Sequence, residues 1–141
     1  MITGYFILAQ GLNRIYPKVN IELAEKLLEY SGVLLSEYSV GDNLSKNSFV
    51  QRNRIQAGLS NCIVVVETDV KRGTMHTVGF AEKNKRIVAC LDHPEKYWNE
   101  PTTRGNSLLI DKNRAVPIDF GNIDELIQVI NSLEVDPPIT L

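Results

Sequence analysis

The sequence is poor in the residues that build metal centres and disulfide frameworks. Its 141 residues include two cysteines, Cys62 and Cys90, and two histidines, His76 and His93. No pair among them has a short metal-ligand spacing, so neither a zinc site nor a disulfide scaffold is expected. Both cysteines fall inside apolar runs and read as reduced core residues. An excess of positive charge is also missing. The formal net charge is −2, which excludes a histone-like or polybasic binder but not a local basic pocket, because net charge averages over all faces. No apolar run reaches the roughly 18–20 residues of a membrane span, and no basic segment followed by a signal-like apolar core opens the chain. A cytoplasmic protein with no membrane contact is the expectation. The sequence contains no G-x-S-x-G elbow, no Walker A pattern and no G-x-G-x-x-G fingerprint. Accordingly no catalytic residue, cofactor or metal is assigned.

What is present is a regular alternation. "GYFILA" (4–9), "VLLSEY" (33–38), "CIVVVET" (62–68), "RIVACL" (86–91) and "AVPI" (115–118) read as strands. Between them lie helical patterns. "NIELAEKLLEYSG" places Ile21, Ala24, Leu27 and Leu28 on one face, with Asn20 as N-cap and Gly32 as the stop. A helix starting near Ser48 and a second over "TMHTVGFAEKNK" flank the third strand. Ile123, Leu126, Ile127, Ile130 and Leu133 give the last helix an apolar face, and the prolines of "DPPITL" end it. The unbroken apolar run at 62–66 predicts a strand covered on both faces. Strand–helix alternation repeated about five times predicts a single α/β domain over 1–141. Its architecture is a Rossmann-like three-layer sandwich with a mostly parallel sheet of about five strands.

In such sheets ligands bind beyond the carboxyl ends of the strands, near helix N-termini. The turn "DVKRGTMHT" occupies that position. Gly73 permits close approach of a ligand, Thr74 offers a hydroxyl and a cap, and the first helical N–H groups attract an anion. Lys71 and Arg72 add full charges, which read either as ligand contacts or as solvated surface. In "FVQRNR", Arg52 and Arg54 diverge by about 200° on a helix. One can therefore reach a phosphate while the other anchors the helix or pairs with Glu37 or Glu67. Asn53 can bond backbone or ligand, and Phe49 reads either as core packing or as a stacking platform for a base. Arg104, Gly105 and Asn106 precede a further helix and form a second anion-competent terminus. His76 and His93 are general acids by type only, and "HPEKYWNEP" reads as a mobile lid or a self-packed loop.

The ordered segments "GLNRIYP", "LAEKLLEYSGVLLSEY", "FVQRNRIQAGLS", "VVVET", "RGTMHTVGFAEKNKRIVACL" and "RGNSLLI" together resemble the DprA/Smf family of DNA-processing proteins. The resemblance covers about Gly11 to Pro117, and F-x-x-RNR-x-x-x-GLS is its most specific element. It implies a Rossmann-like domain that binds single-stranded DNA and helps load a RecA-type recombinase in natural transformation. Phe49, Arg52, Asn53 and Arg54 match the family's signature helix. Lys71, Arg72, Gly73 and Thr74 match its K-S-G-S/T turn, with Arg72 in place of serine. Arg104, Gly105 and Asn106 match its late R-G-N loop. Asn13 replaces an aspartate, Val50 a proline, and "CLDHPEKYWNEP" the common V-P-G continuation. The chain looks like a truncated or minimal relative without the preceding Gly-Ser-Arg phosphate loop, and an uncovered sheet edge then implies a homo-oligomer.

Two readings of function follow. In the first, the protein binds single-stranded DNA through a basic pocket at the carboxyl edge of the sheet, without turnover. In the second, the same edge binds or hydrolyses a small nucleotide, with Glu37 or Glu67 acting on a ribose or a water.

Overall fold

A computed structural model of the chain describes residues 4–119 and 121–133. The expected break at "DPPITL" lies outside the described residues. The chain divides into two compact units, Met1–Gln56 and Ala57–Leu141.

In the first unit, β1 (Tyr5–Ile7) pairs in parallel with β2 (Val33–Leu35), with Phe6 opposite Leu34. Backbone bonds from Leu8 N to Leu35 O and from Val33 N to Gly4 O extend the ladder at both ends. Between the strands runs α1 (Ile21–Glu29), entered from a single 3-10 turn at Lys18–Asn20. Asn20 stands at the N-cap but makes no side-chain cap bond. Ala24 is buried, whereas Ile21 and Leu28 are exposed, so only part of the expected apolar face is covered. The end of α1 also departs from expectation. Ser31, not Gly32, takes the left-handed conformation (φ 63°). Gly32 is needed for a different reason: its N–H donates to Leu27 O at 2.7 Å, and a Cβ there would lie 2.6 Å from that oxygen. The long helix α2 (Lys46–Leu59) starts with a reciprocal cap, because Ser45 N donates to Ser48 Oγ and Ser48 N to Ser45 Oγ, each at 3.1 Å.

The second unit contains β3 (Cys62–Val65), α3 (Thr74–Lys83), β4 (Ile87–Leu91), α4 (Arg104–Asp111), β5 (Val116–Ile118) and α5 (Ile123–Ser132). The three strands pair in the order β3-β4-β5, all parallel, with Val65 opposite Cys90 and Leu91 opposite Ile118. Period-two alternation sorts the strand side chains between two helical layers. Val65, Val88 and Cys90 pack with Val78 and Ala81 of α3 and Leu109 of α4. Ala89 and Ile118 pack with Leu126 of α5. The α/β class and the three layers predicted from the alternation are therefore present in this unit.

The apolar run of β3 is not covered on both faces: Val64 and Val66 are 50% and 60% exposed. On that side α5 packs on Ala89 and Ile118 and leaves its own Ile123 and Ile127 exposed. Both cysteines are free thiols, and burial beside the Asp92 charge pushes Cys90 up to about 11.

Across the second unit, Arg114 grips Glu82 with two bonds, Nε to Oε1 at 2.7 Å and Nη2 to Oε2 at 2.9 Å. These bonds hold the Glu82 carboxyl below its ordinary range. A depressed carboxylate contributes stability above its unfolded pKa and loses it as pH falls through the folded value. Urea unfolding should therefore find Glu82→Gln weaker than wild type by about 0.2–1 kcal/mol at pH 7, as for exposed pairs. That difference should close at strongly acid pH; a gap that persists there would assign the effect to packing instead.

Candidate nucleic-acid interface

Beyond the last residue of β3 the chain turns sharply, and α4 fixes the turn. Asn106, only 1% exposed, accepts a bond from Thr68 N at 2.9 Å. Its Nδ2 donates to Val66 O at 2.8 Å and to Leu91 O at 3.0 Å. Next to it Gly105 N donates to Thr68 O at 2.8 Å. The loop then folds on itself: Asp69 Oδ1 accepts Val70 N at 2.7 Å, and Asp69 O accepts Arg72 N at 3.2 Å. Exposed Arg104 reaches Asp69 Oδ1 at 3.4 Å.

This turn and the start of α3 border an open cleft of about 340 Å³, lined by Glu67, Thr68, Asp69, Arg72, Gly73, Thr74 and Thr102. Thr74 is the first residue of α3, and Gly73 holds the cap position with no side-chain cap bond. Thr74 therefore does not cap the helix, contrary to the sequence reading. Gly73 has ordinary helical backbone angles (φ −56°), and a Cβ there would meet nothing within 4 Å. The space beside it is open to a ligand. Lys71 and Arg72 are exposed and enter no ion pair among the described residues. Thr68, Asp69 and Thr102 had no role in the sequence reading; a polar residue directly after an apolar strand was the available signal for the first two.

The cluster on α2 belongs to the first unit. Phe49, 38% exposed, tilts against Tyr16 with ring centroids 6.2 Å apart, and the Arg52 guanidinium lies 5.9 Å from its ring centre. Arg52 is anchored by Nη1 to Ile7 O at 2.7 Å and by Nε to Asn53 Oδ1 at 3.1 Å. Partial burial lowers its pKa. Arg54 points elsewhere and pairs with Glu37. The divergence expected from helical spacing is realised, with one arginine on backbone and one on a carboxylate. Nearby, Asn13 Oδ1 accepts Gly41 N at 3.1 Å, a task that an aspartate oxygen also performs.

The segment around Trp98 is a self-packed loop. Trp98 Nε1 donates to His93 O at 2.6 Å, buried Thr103 bonds Tyr97 O through its hydroxyl, and a His93 ring nitrogen lies 2.8 Å from Val66 O. Among the described residues no helix is long and apolar enough to cross a membrane, and no cluster of three metal-ligating side chains occurs.

The second unit is of the parallel α/β class, in which ligands commonly bind at the carboxyl ends of the strands near helix N-termini. The chain matches the family profile described as DNA recombination-mediator protein A over residues 2–131, and it belongs to that family. It is 38% identical over 122 residues to Protein Smf of Escherichia coli, covering 86% of this chain and 32% of that protein. Against Protein Smf of Synechocystis the identity is 40% over 85 residues, covering 60% of this chain and 21% of the relative. The chain thus spans a third or less of the length of these curated relatives.

DNA processing protein A from Streptococcus pneumoniae superposes with a TM-score of 0.74 at 27% identity, covering 95% of this chain and 44% of that one. The Helicobacter pylori protein, whose structure concerns a single-stranded DNA binding mode, gives a TM-score of 0.79 at 24% identity. That superposition covers 92% of this chain and 57% of that one, and it speaks to the fold.

The two glycines make a direct contrast. A Cβ at Gly105 would sit 2.5 Å from Thr68 O and 2.9 Å from the Asp69 carbonyl carbon, both backbone atoms. Gly105→Ala should therefore lose about 1–3 kcal/mol or more through overpacking. Gly73→Ala should stay within about 1 kcal/mol of wild type. Chemical denaturation of both variants checks this; equal losses would contradict the assignment of close approach to Gly105.

Proposed function

We propose that this protein binds single-stranded DNA without turnover, receiving backbone phosphates at the cleft beside Gly73. The carrying observation is the pairing of a helix N-terminus at Gly73–Thr74 with two cations, Lys71 and Arg72, that no carboxylate neutralises among the described residues. Membership of a recombination-mediator family supports the same ligand, as does the single-stranded DNA binding mode of the Helicobacter pylori relative. Arg104 contributes further charge, tempered by Asp69. On α2, Phe49 stacks on a base while Arg52 and Asn53 hold the helix surface in place. Arg54 approaches a strand only by sharing or leaving Glu37.

A second reading has one observation in its favour: Glu67 and Asp69 line the same cleft. Carboxylates repel a polyanion but accept hydrogen bonds from ribose hydroxyls, as in dinucleotide sites. A mononucleotide would then occupy the cleft in place of a strand.

Fluorescence titration with a labelled oligothymidylate across several salt concentrations separates the two. DNA binding requires the logarithm of affinity to fall linearly with that of salt, by about 0.7 per phosphate neutralised. Lys71→Ala should weaken all sequences alike and flatten the slope by about 0.7. Phe49→Ala should cost about 1–3 kcal/mol of stacking with the slope unchanged. Absence of oligonucleotide binding at low salt, together with a thermal shift from a mononucleotide, would move the assignment to the second reading.

A further inference from the structure

We propose that Asn106, enabled by Gly105, is a positioning residue that sets the β3–α3 turn for its ligand and never touches that ligand. The inference rests on the reading above, that the turn receives a phosphate, and it names what shapes that site. The side-chain amide has two donor hydrogens and an acceptor oxygen. Here the hydrogens go to Val66 O and Leu91 O, and the oxygen takes Thr68 N. Those backbone groups lie just past β3, at the last residue of β4 and inside the turn. One side chain thus joins the carboxyl ends of two neighbouring strands to the loop between β3 and α3. At 1% exposure it has no surface left for a ligand.

Gly105 completes the hold. Its N–H bonds Thr68 O, so Thr68 is gripped at both its N–H and its C=O by consecutive residues of α4. The missing Cβ lets the two backbones come together, because any side chain at this position would start 2.5 Å from Thr68 O. From Thr68 the path to Arg72 is short and internally bonded through Asp69, so fixing Thr68 fixes where Lys71 and Arg72 begin. The R-G-N segment therefore divides its work: Arg104 lies at the surface beside Asp69, while Gly105 and Asn106 act from within.

Asparagine is the residue this geometry demands. Leucine would take away the partner of Thr68 N and the amide's bond to Leu91 O, leaving Val66 O only the His93 ring nitrogen, and glutamine is one methylene too long. Aspartate has no hydrogen to give when ionised and would turn a negative charge on two carbonyls. Burial and those carbonyls would hold the carboxyl introduced by Asn106→Asp above the ordinary aspartate value of about 3.9. Once protonated, that carboxyl donates to one carbonyl and still accepts Thr68 N. The sign follows: Asn106→Asp loses the hold as pH rises through the elevated pKa and regains most of it as pH falls.

The test compares wild type, Asn106→Asp and Asn106→Ala between about pH 5.5 and 8, a window chosen to span that elevated pKa. It reads oligothymidylate affinity as a ratio to wild type, and the protection factor of the Thr68 amide by NMR exchange. Asn106→Asp should bind about tenfold or more weakly at the alkaline end, as for an unmet buried hydrogen bond. It should recover most of that loss at the acid end, with Thr68 protection moving in step, while Asn106→Ala stays weak throughout. A ratio that ignores pH, or Thr68 protection equal to wild type at the alkaline end, would overturn the proposal. If Asn106→Asp is unfolded there, Asn106→Ser, with a single donor, replaces it. Intermediate Thr68 protection then supports the proposal and wild-type protection overturns it. Failure of the wild type to bind DNA would count against the function proposed above, and Thr68 protection alone would then decide the role of Asn106.

Discussion

The three hydrogen bonds of the Asn106 amide are the constraint on which the carboxyl edge of the second unit's sheet depends. Strands in a parallel sheet end with carbonyls and N–H groups that no neighbour satisfies, and leaving such groups buried and unpaired is costly. A single buried amide bonds three of them at once, Thr68 N, Leu91 O and Val66 O, the last shared with a His93 ring nitrogen. The same bonds determine where the chain leaves β3, and hence where α3 begins. A requirement of folding thus also sets the geometry of the turn.

Electrostatics separates the cations that the sequence groups together. Arg54 is neutralised by Glu37, and Arg52 is held by a main-chain carbonyl and an amide oxygen within its own unit. Arg114 is matched to Glu82 and Arg104 is drawn to Asp69. Lys71 and Arg72 remain exposed without a carboxylate partner among the described residues, beside the N-terminus of a ten-residue helix. Each of these four arginines has a structural partner. That contrast, more than the number of positive charges, is why the cleft at Gly73 is the place to expect an anion.

Much of the fold was legible because its signals are local. Apolar runs and helical spacing located β1 to β5 and most of the helices, and the parallel pairing followed from their alternation; α4, however, starts at Arg104, so the Arg104–Asn106 segment read as preceding it forms its first turn. What escaped depends on tertiary approach. Local preference favours Gly32 over Ser31 as the left-handed residue; Ser31 takes that conformation while Gly32 passes close to Leu27 O. The run 62–66 looked buried on both faces, yet coverage depends on where α5 lies, and it leaves Val64 and Val66 exposed. The motif residues Gly105 and Asn106 were visible as a pattern, but their burial and their bonding partners, distant in sequence, were not. Thr102 carries no local signature, and Thr68 and Asp69 carry only that of polar residues after an apolar strand, until the fold brings all three to one cleft.

On the function proposed above, a nucleic-acid strand meets this protein at the carboxyl ends of β3 and β4. Amide chemical-shift mapping during titration with a short oligothymidylate tests it most directly. Shifts concentrated from Thr68 to Met75, growing as salt is lowered, are what the account predicts. Shifts confined to the opposite end of the sheet, around Asn113 to Val116, with the Gly73 and Thr74 amides unmoved, would contradict it.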